Sequence, residues 1–189
     1  MPIKVHKPTT PGRRNSSVQD FSDVTKVKPE KSLVVKLKTH SGRNNTGKIT
    51  VRHREGGAKK LYRLVDFRQE RYDVLATVEA IEYDPNRGPR VALIRYTDDV
   101  KSYIIAPQGM KVGDTVLSSL QKVEPVVGNR MPLEHIPVGL FVYSVELSPG
   151  RGGQLVRGAC NSAQLQVLEG QYAQLKLPSG EVRLVKKEC

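Results

Sequence analysis

The sequence predicts an all-β chain with an extended basic arm followed by two small barrels. Three observations lead there. Apolar and polar residues alternate with a period of two in short stretches through the last two-thirds of the chain. Clusters of Gly, Pro, Asn and Asp punctuate those stretches, and no long amphipathic helix competes with them. The charge is also segregated. Of 31 Lys plus Arg and 19 Asp plus Glu, residues 1–63 hold 16 and 4, which leaves 15 and 15 for residues 64–189. The formal net charge of +12 therefore belongs entirely to the first third.

That first third, residues 1–63, reads as the arm. It contains Pro8-Thr9-Thr10-Pro11-Gly12-Arg13-Arg14-Asn15 and Ser41-Gly42-Arg43-Asn44-Asn45-Thr46-Gly47-Lys48. Such a stretch buries too little apolar surface to offset the entropy of ordering it. It is expected to be disordered alone and extended when bound. A polycation of this density is drawn to a polyanion, most often nucleic acid. The bland alternative is a solvated tail. A membrane-surface helix would need Leu, Phe or Trp at helical spacing, and none is present.

Residues 64–122 read as the first barrel. Strands are expected over 74–83, 91–96, 103–106 and 115–117. The first of them slips phase near Ala80, as a bulge would cause. Asp84-Pro85-Asn86-Arg87-Gly88-Pro89 is a strong turn. A break falls within 121–136, where Pro125, Gly128 and Pro132 cluster ahead of Pro137. Residues 123–189 read as the second barrel. Phe141, Tyr143, Val145 and Leu147 alternate with polar or smaller neighbours, as do Ala163, Leu165 and Val167, then Ala173, Leu175 and Leu177. Pro178-Ser179-Gly180 joins the last of these to a strand over 181–185, a hairpin with Gly supplying the turn conformation.

Several cations are placed rather than merely abundant. Arg87 and Arg90 flank the rigid turn. Arg151 lies in Pro149-Gly150-Arg151-Gly152-Gly153, and Arg157 follows Gln154-Leu155-Val156. A short helical turn starting near Gln154 would offer free N–H groups to phosphate, with Arg157 on the same side. The other reading is a glycine loop made only for tight turning. Aromatic side chains such as Tyr62, Phe67, Tyr83 and Phe141 can stack on bases, but most fall in strand alternation and read as core.

Catalysis has little support. His6, His40, His53 and His135 lack metal-ligand spacing. Glu79 with Glu82, and Asp98 with Asp99, read as solvated carboxylates rather than an acid–base pair. Cys160 and Cys189 read as reduced thiols. No apolar run is long enough to span a membrane, and the first residues lack a secretion signal. No cofactor, metal or small-molecule substrate is expected.

Assembled in order, these blocks resemble the bacterial-type large-subunit ribosomal protein L2 family. The resemblance rests on residues 7–14, on 41–53, and on Tyr62-Arg63-Leu64-Val65-Asp66-Phe67. It continues through Glu82-Tyr83-Asp84-Pro85-Asn86-Arg87, Tyr103-Ile104-Ile105-Ala106-Pro107, Asn129 with Ile136-Pro137-Val138-Gly139, and residues 149–157. It implies an extended arm, an oligonucleotide-binding (OB-fold-like) barrel and an SH3-like barrel. It also implies binding to large-subunit ribosomal RNA near the subunit interface and the peptidyl transferase region. Neighbouring ribosomal proteins would be partners, in cytoplasmic or organellar ribosomes, with no chemistry of the protein's own. By position it implicates Arg52, His53, Arg54, Lys59, Lys60 and Arg63 before the first barrel, Arg87 at its turn, and Arg151 and Arg157 in the second. Arg13, Arg14, Arg43, Lys48 and Arg90 complete the candidate RNA-binding set. Where the family has three glycines, this chain has Glu55-Gly56-Gly57, an acid beside the RNA. The sequence ends at Cys189, ahead of the family's basic Gly/His-rich tail, so no residue here inherits the histidine of that tail. The alternative is a free-standing single-strand RNA or DNA binder built from two small barrels.

Overall fold

Much of the basic arm folds back onto the rest of the chain. A computed structural model describes residues 3–54 and 57–189. Strand β1 (Ile3–Val5) pairs antiparallel with β2 (Ser17–Gln19) across a 3-10 turn at Pro11–Arg13. β3 (Val34–Lys36) pairs antiparallel with β4 (Leu61–Arg63). Between β2 and β3 the chain forms a strap. Arg90 donates to both carboxylate oxygens of Asp23 at 2.9 and 2.8 Å and to the Asp20 carbonyl at 3.2 Å. Phe21 meets Tyr83 edge-on with ring centroids 5.2 Å apart. Thr25 N–H donates to the Ile81 carbonyl at 2.9 Å, and Ile81 N–H returns a bond to Thr25 Oγ1 at 2.9 Å. Glu30 N–H donates to the Tyr103 hydroxyl at 2.8 Å. This corrects the expectation of an arm without structure. Net charge and Gly/Pro content describe the arm as a whole, whereas a few local groups (Phe21, Asp23, Thr25, Leu33) suffice to anchor it.

The strap lies on the first sheet, made of β5 (Ala76–Glu82), β6 (Val91–Tyr96), β7 (Lys101–Ile105) and β8 (Thr115–Val116). Its order is β7-β6-β5-β8, all pairs antiparallel. The β5–β6 register shifts between Val78 and Ala80, so the expected phase slip is a bulge. Across the bulge the buried side chains change face: Ala76 and Val78 join one apolar cluster and Ala80 the other. Val91, Ala92, Leu93 and Ile94 are buried without alternation because both faces of β6 are covered. Ala92 and Ile94 join a core with Val78, Ile104 and Val116. Val91 and Leu93 face the other way with Ala80 and Tyr103, under Leu33 and Val65.

One carboxylate enters that second layer. Glu82 is fully buried and accepts from Tyr103 Oη at 2.9 Å and Arg63 Nε at 3.4 Å, while Lys26 Nζ stands 3.9 Å from its other oxygen. A buried charge is tolerated only when paired and hydrogen-bonded in this way. The network joins strap, β4, β5 and β7. Burial raises the pKa of the Tyr103 hydroxyl well above its ordinary value.

The second sheet comprises β9 (Phe141–Val142), β10 (Ala163–Glu169), β11 (Tyr172–Lys176) and β12 (Val182–Lys186), in the antiparallel order β12-β11-β10-β9. Its core gathers Leu133, Val145, Leu165, Ala173, Leu175 and Val185. The β11–β12 hairpin turns as expected. Gly180 has φ +88° and donates to the Leu177 carbonyl at 2.9 Å. The alternation over 141–147 does not persist as a strand. Ser144 has φ +51°, which bends the chain, and Phe141 is 69 % exposed. Beyond the bend Val145 bridges to Leu155 instead. The chain is all-β, and its sheets curl as an OB-fold-like barrel and an SH3-like barrel. No α-helix occurs among the described residues.

Candidate nucleic-acid interface

The arm's loop over 41–54 is shaped in advance. Asn44 Oδ1 accepts from Thr46 N–H at 3.0 Å, Thr46 Oγ1 at 2.7 Å and Lys48 N–H at 2.9 Å. Arg43 Nη1 donates to the Gly47 carbonyl at 2.9 Å, and Arg43 bridges to Ile49. Thr50 and Val51 N–H groups converge on the Gly42 carbonyl. Gly42 has φ +69°, and a Cβ there would overlap the Val51 carbonyl, so this close approach needs glycine. The result gathers Arg43, Arg52, His53 and Arg54 around one open concave surface. Arg13, Arg14, Lys48, Lys59, Lys60 and Arg151 are also exposed. The candidate Glu55-Gly56-Gly57 turn has its first two residues outside the described ones.

A second cluster forms where the turn after β5 and the segment after β4 meet the loop between β9 and β10. The turn after β5 is built on Asp84, which is fully buried. Its carboxylate accepts from Asn86 N–H at 2.9 Å and Arg87 Nε at 2.6 Å. Asn86 Nδ2 in turn donates to the Leu61 carbonyl at 2.9 Å, and Arg87 Nη2 to the Arg63 carbonyl at 3.4 Å. The Arg87 guanidinium lies 5.4 Å from the Tyr62 ring centre and 5.7 Å from that of Phe67. The Arg157 guanidinium lies 3.9 Å from the same Phe67 ring and donates to the Gly153 carbonyl. Burial, then the neighbouring Arg87 charge, holds the pKa of Arg157 below its ordinary value. Two like charges are thus held beside one aromatic ring, an arrangement suited to an anion.

The glycine loop behaves differently from the phosphate-binding expectation. Glu146, 5 % exposed, accepts from Gly150 N–H at 2.9 Å, Gly152 N–H at 2.7 Å and Arg130 Nη2 at 2.6 Å. Arg151 N–H donates to Ser148, Gly153 N–H to Phe67 at 2.9 Å, and Gln154 and Leu155 N–H groups both to Val145. No helical turn starts at Gln154, and every amide from 150 to 155 already has an acceptor. The glycines serve tight turning, and the internal carboxylate occupies the place a phosphate would take.

Two candidates lie inside the protein. Arg63 is 4 % exposed and paired with Glu82; Arg90 is 7 % exposed, paired with Asp23 and stacked near Phe21 and Tyr83. They hold the strap and β4 rather than presenting charge. Sequence reasoning passed over Asp84, Glu146 and Phe67 as organisers of the interface. The Asp-Pro-Asn turn was a usable signal for Asp84. Glu146 sits in an unremarkable pattern, and Phe67, legible as an aromatic able to stack, shows its two arginine neighbours only in the fold.

Among the aromatics, Tyr96 and Tyr103 are core, whereas Tyr83, Phe141 and Tyr172 are exposed. Cys160 is exposed, and burial pushes the Cys189 thiol up to about 11. Among the described residues, no group of His, Cys, Asp or Glu is gathered for a metal, and no helix is long and apolar enough to cross a membrane.

Known families match this chain in two consecutive stretches. Residues 30–118 match the family model described as Ribosomal Proteins L2, RNA binding N-terminal domain. Residues 126–189 match the one described as Ribosomal Proteins L2, C-terminal domain.

Proposed function

Since the chain belongs to the ribosomal protein L2 family, a family of structural ribosomal proteins that bind ribosomal RNA, we propose that it recognises large-subunit ribosomal RNA through the surface where the turn after β5 meets the loop between β9 and β10. In this reading Arg87 and Arg157 read the RNA. The exposed basic residues Arg13, Arg14, Arg43, Lys48, Arg52, Arg54, Lys59, Lys60 and Arg151, with the His53 imidazole as a hydrogen-bonding group, hold its backbone. The protein then supports subunit assembly, subunit association and the peptidyl transferase region, beside neighbouring ribosomal proteins and without chemistry of its own. One observation carries the assignment: guanidiniums from the turn after β5 and from the loop between β9 and β10 converge on Phe67. The units of the proposed organisation are an arm over 1–63 and barrels over 64–122 and 123–189.

Arg→Lys substitution tests it. Lysine keeps the charge and loses the planar fork. Arg87→Lys and Arg157→Lys should each weaken binding to a large-subunit ribosomal RNA fragment, by about 1–3 kcal/mol where the contact is bidentate to a base. Binding to an unrelated RNA should change little, because phosphate contacts carry little sequence information. Parent-like binding of both variants to both RNAs would remove these residues from the interface. Sedimentation apart from the large subunit would favour a free-standing RNA-binding factor.

A further inference from the structure

Resting on that reading, we infer that Phe67 is the positioning residue that sets the separation of Arg87 and Arg157, and through it the preference for cognate ribosomal RNA over other RNA. Two guanidiniums close together repel, and in water flexible side chains would swing apart. Asp84, the Arg63 carbonyl and the Tyr62 ring act on Arg87 but not on Arg157, and the Gly153 carbonyl acts on Arg157 but not on Arg87. The Phe67 ring is within cation–π range of both, at 5.7 and 3.9 Å.

The backbone that carries the ring is fixed from both sides. Its carbonyl accepts Gly153 N–H at 2.9 Å, and Gly152 approaches so closely that a Cβ would sit 3.0 Å from that oxygen. Asp66 N–H donates to the Tyr103 carbonyl at 2.8 Å, and Asp66 Oδ1 accepts from Arg68 and Gln69 N–H groups at 2.9 and 2.8 Å. The backbone at residue 67 is therefore set by bonds that do not involve the ring. Phe67 is half-buried and belongs to none of the three apolar clusters. Removing the ring leaves the cores intact and frees the two arginines to separate.

The full chain tests this with Phe67→Leu, Phe67→Met, which fills more of the volume without a π face, and Phe67→Tyr, which keeps the face. Affinity is measured for a large-subunit ribosomal RNA fragment and for an unrelated RNA at one salt concentration, alongside the unfolding midpoint. Leu and Met should lower cognate affinity about tenfold, the loss expected when one or two cation–π contacts are removed. Tyr should bind like the parent, and the unrelated RNA should bind all variants alike. In the Phe67→Leu chain, Arg157→Lys should cost less than it does alone, since the two changes share one contact. The inference is overturned if Leu and Met bind cognate RNA like the parent while Arg87→Lys and Arg157→Lys lose affinity. It is equally overturned if Leu and Met weaken both RNAs alike. If the two Lys variants bind like the parent, the interface reading itself falls, and this inference falls with it.

Discussion

Asp84, fully buried, holds Arg87 Nε at 2.6 Å and so fixes the direction of a cation only three residues away. Asn at this position keeps the shape and the acceptor for Asn86 N–H but loses the charge. Asp84→Asn should destabilise the protein by about 1.5–3 kcal/mol, the range for hydrogen bonds to charged groups. It should also weaken cognate RNA binding in the same direction as Arg87→Lys. Urea unfolding with an unchanged midpoint would show that the carboxylate is not organising the turn.

The glycine loop predicts a rank order. A Cβ at Gly153 would overlap the Ser144 carbonyl and hydroxyl; one at Gly152 meets Phe67 and Arg68 at φ +82°; one at Gly150 meets open space at φ +74°. Gly150→Ala should cost about 1–2 kcal/mol, the penalty of a left-handed backbone alone. Gly152→Ala should cost more and Gly153→Ala most, because backbone must move. Equal melting temperatures for the three variants would contradict the packing described.

Ionic strength should control affinity. Each phosphate neutralised contributes a slope of roughly 0.7–0.9 in log units, so about 6–10 contacts give a slope above roughly 4. Replacing Arg43, Arg52 and Arg54 together by Ala should lower that slope by about 2–3. A parent slope near 1 would place the arm's charges outside the interface.

The strap should respond to acid. Hydrogen bonds from Arg90 hold the Asp23 carboxyl below its ordinary value. A carboxylate depressed in the folded state contributes its stabilisation above its unfolded pKa, about 3.9, and loses it as pH falls through the lower folded value. Exchange of the Thr25 amide, corrected for its intrinsic rate, should therefore accelerate below about pH 4. Asp23→Asn should exchange fast at every pH with no such step. A step retained in Asp23→Asn would assign the transition to another group.

Proteolysis should divide the arm. Residues 37–40 and 43–54 are exposed, whereas 23, 24, 29, 30, 33 and 34 are at least half-buried. Trypsin acting on the free protein should cut within about residues 36–60 first and leave the strap associated with the first sheet. RNA should protect the cut region. Early cleavage after Lys26, at the rate of Lys48, would mean that the strap does not hold in solution.

Legibility followed the range of the forces involved. The bulge at Ala80, strand β6 and the Gly180 hairpin were readable because neighbouring residues alone impose them. The two-sided burial of Val91 to Ile94 gave a strand but not its reason, since Leu33 covers one face from far away in the sequence. Arg63 and Arg90 look like surface cations in the sequence because their partners, Glu82 and Asp23, are distant along the chain. The glycine loop looked open to phosphate because nothing local shows Glu146 turning into it.

The bond from Gly153 to the Phe67 carbonyl has a consequence in time. During synthesis Phe67 and Arg87 emerge long before Gly153 and Arg157 exist. Until then the junction offers a single guanidinium and a carbonyl without its partner. The paired charges come into being only once the loop between β9 and β10 has folded against Phe67. A nascent or broken chain keeps the exposed cations of its arm but cannot present the two-arginine surface. On the proposed reading, selective RNA binding therefore requires residues 67, 87 and 157 to be folded together.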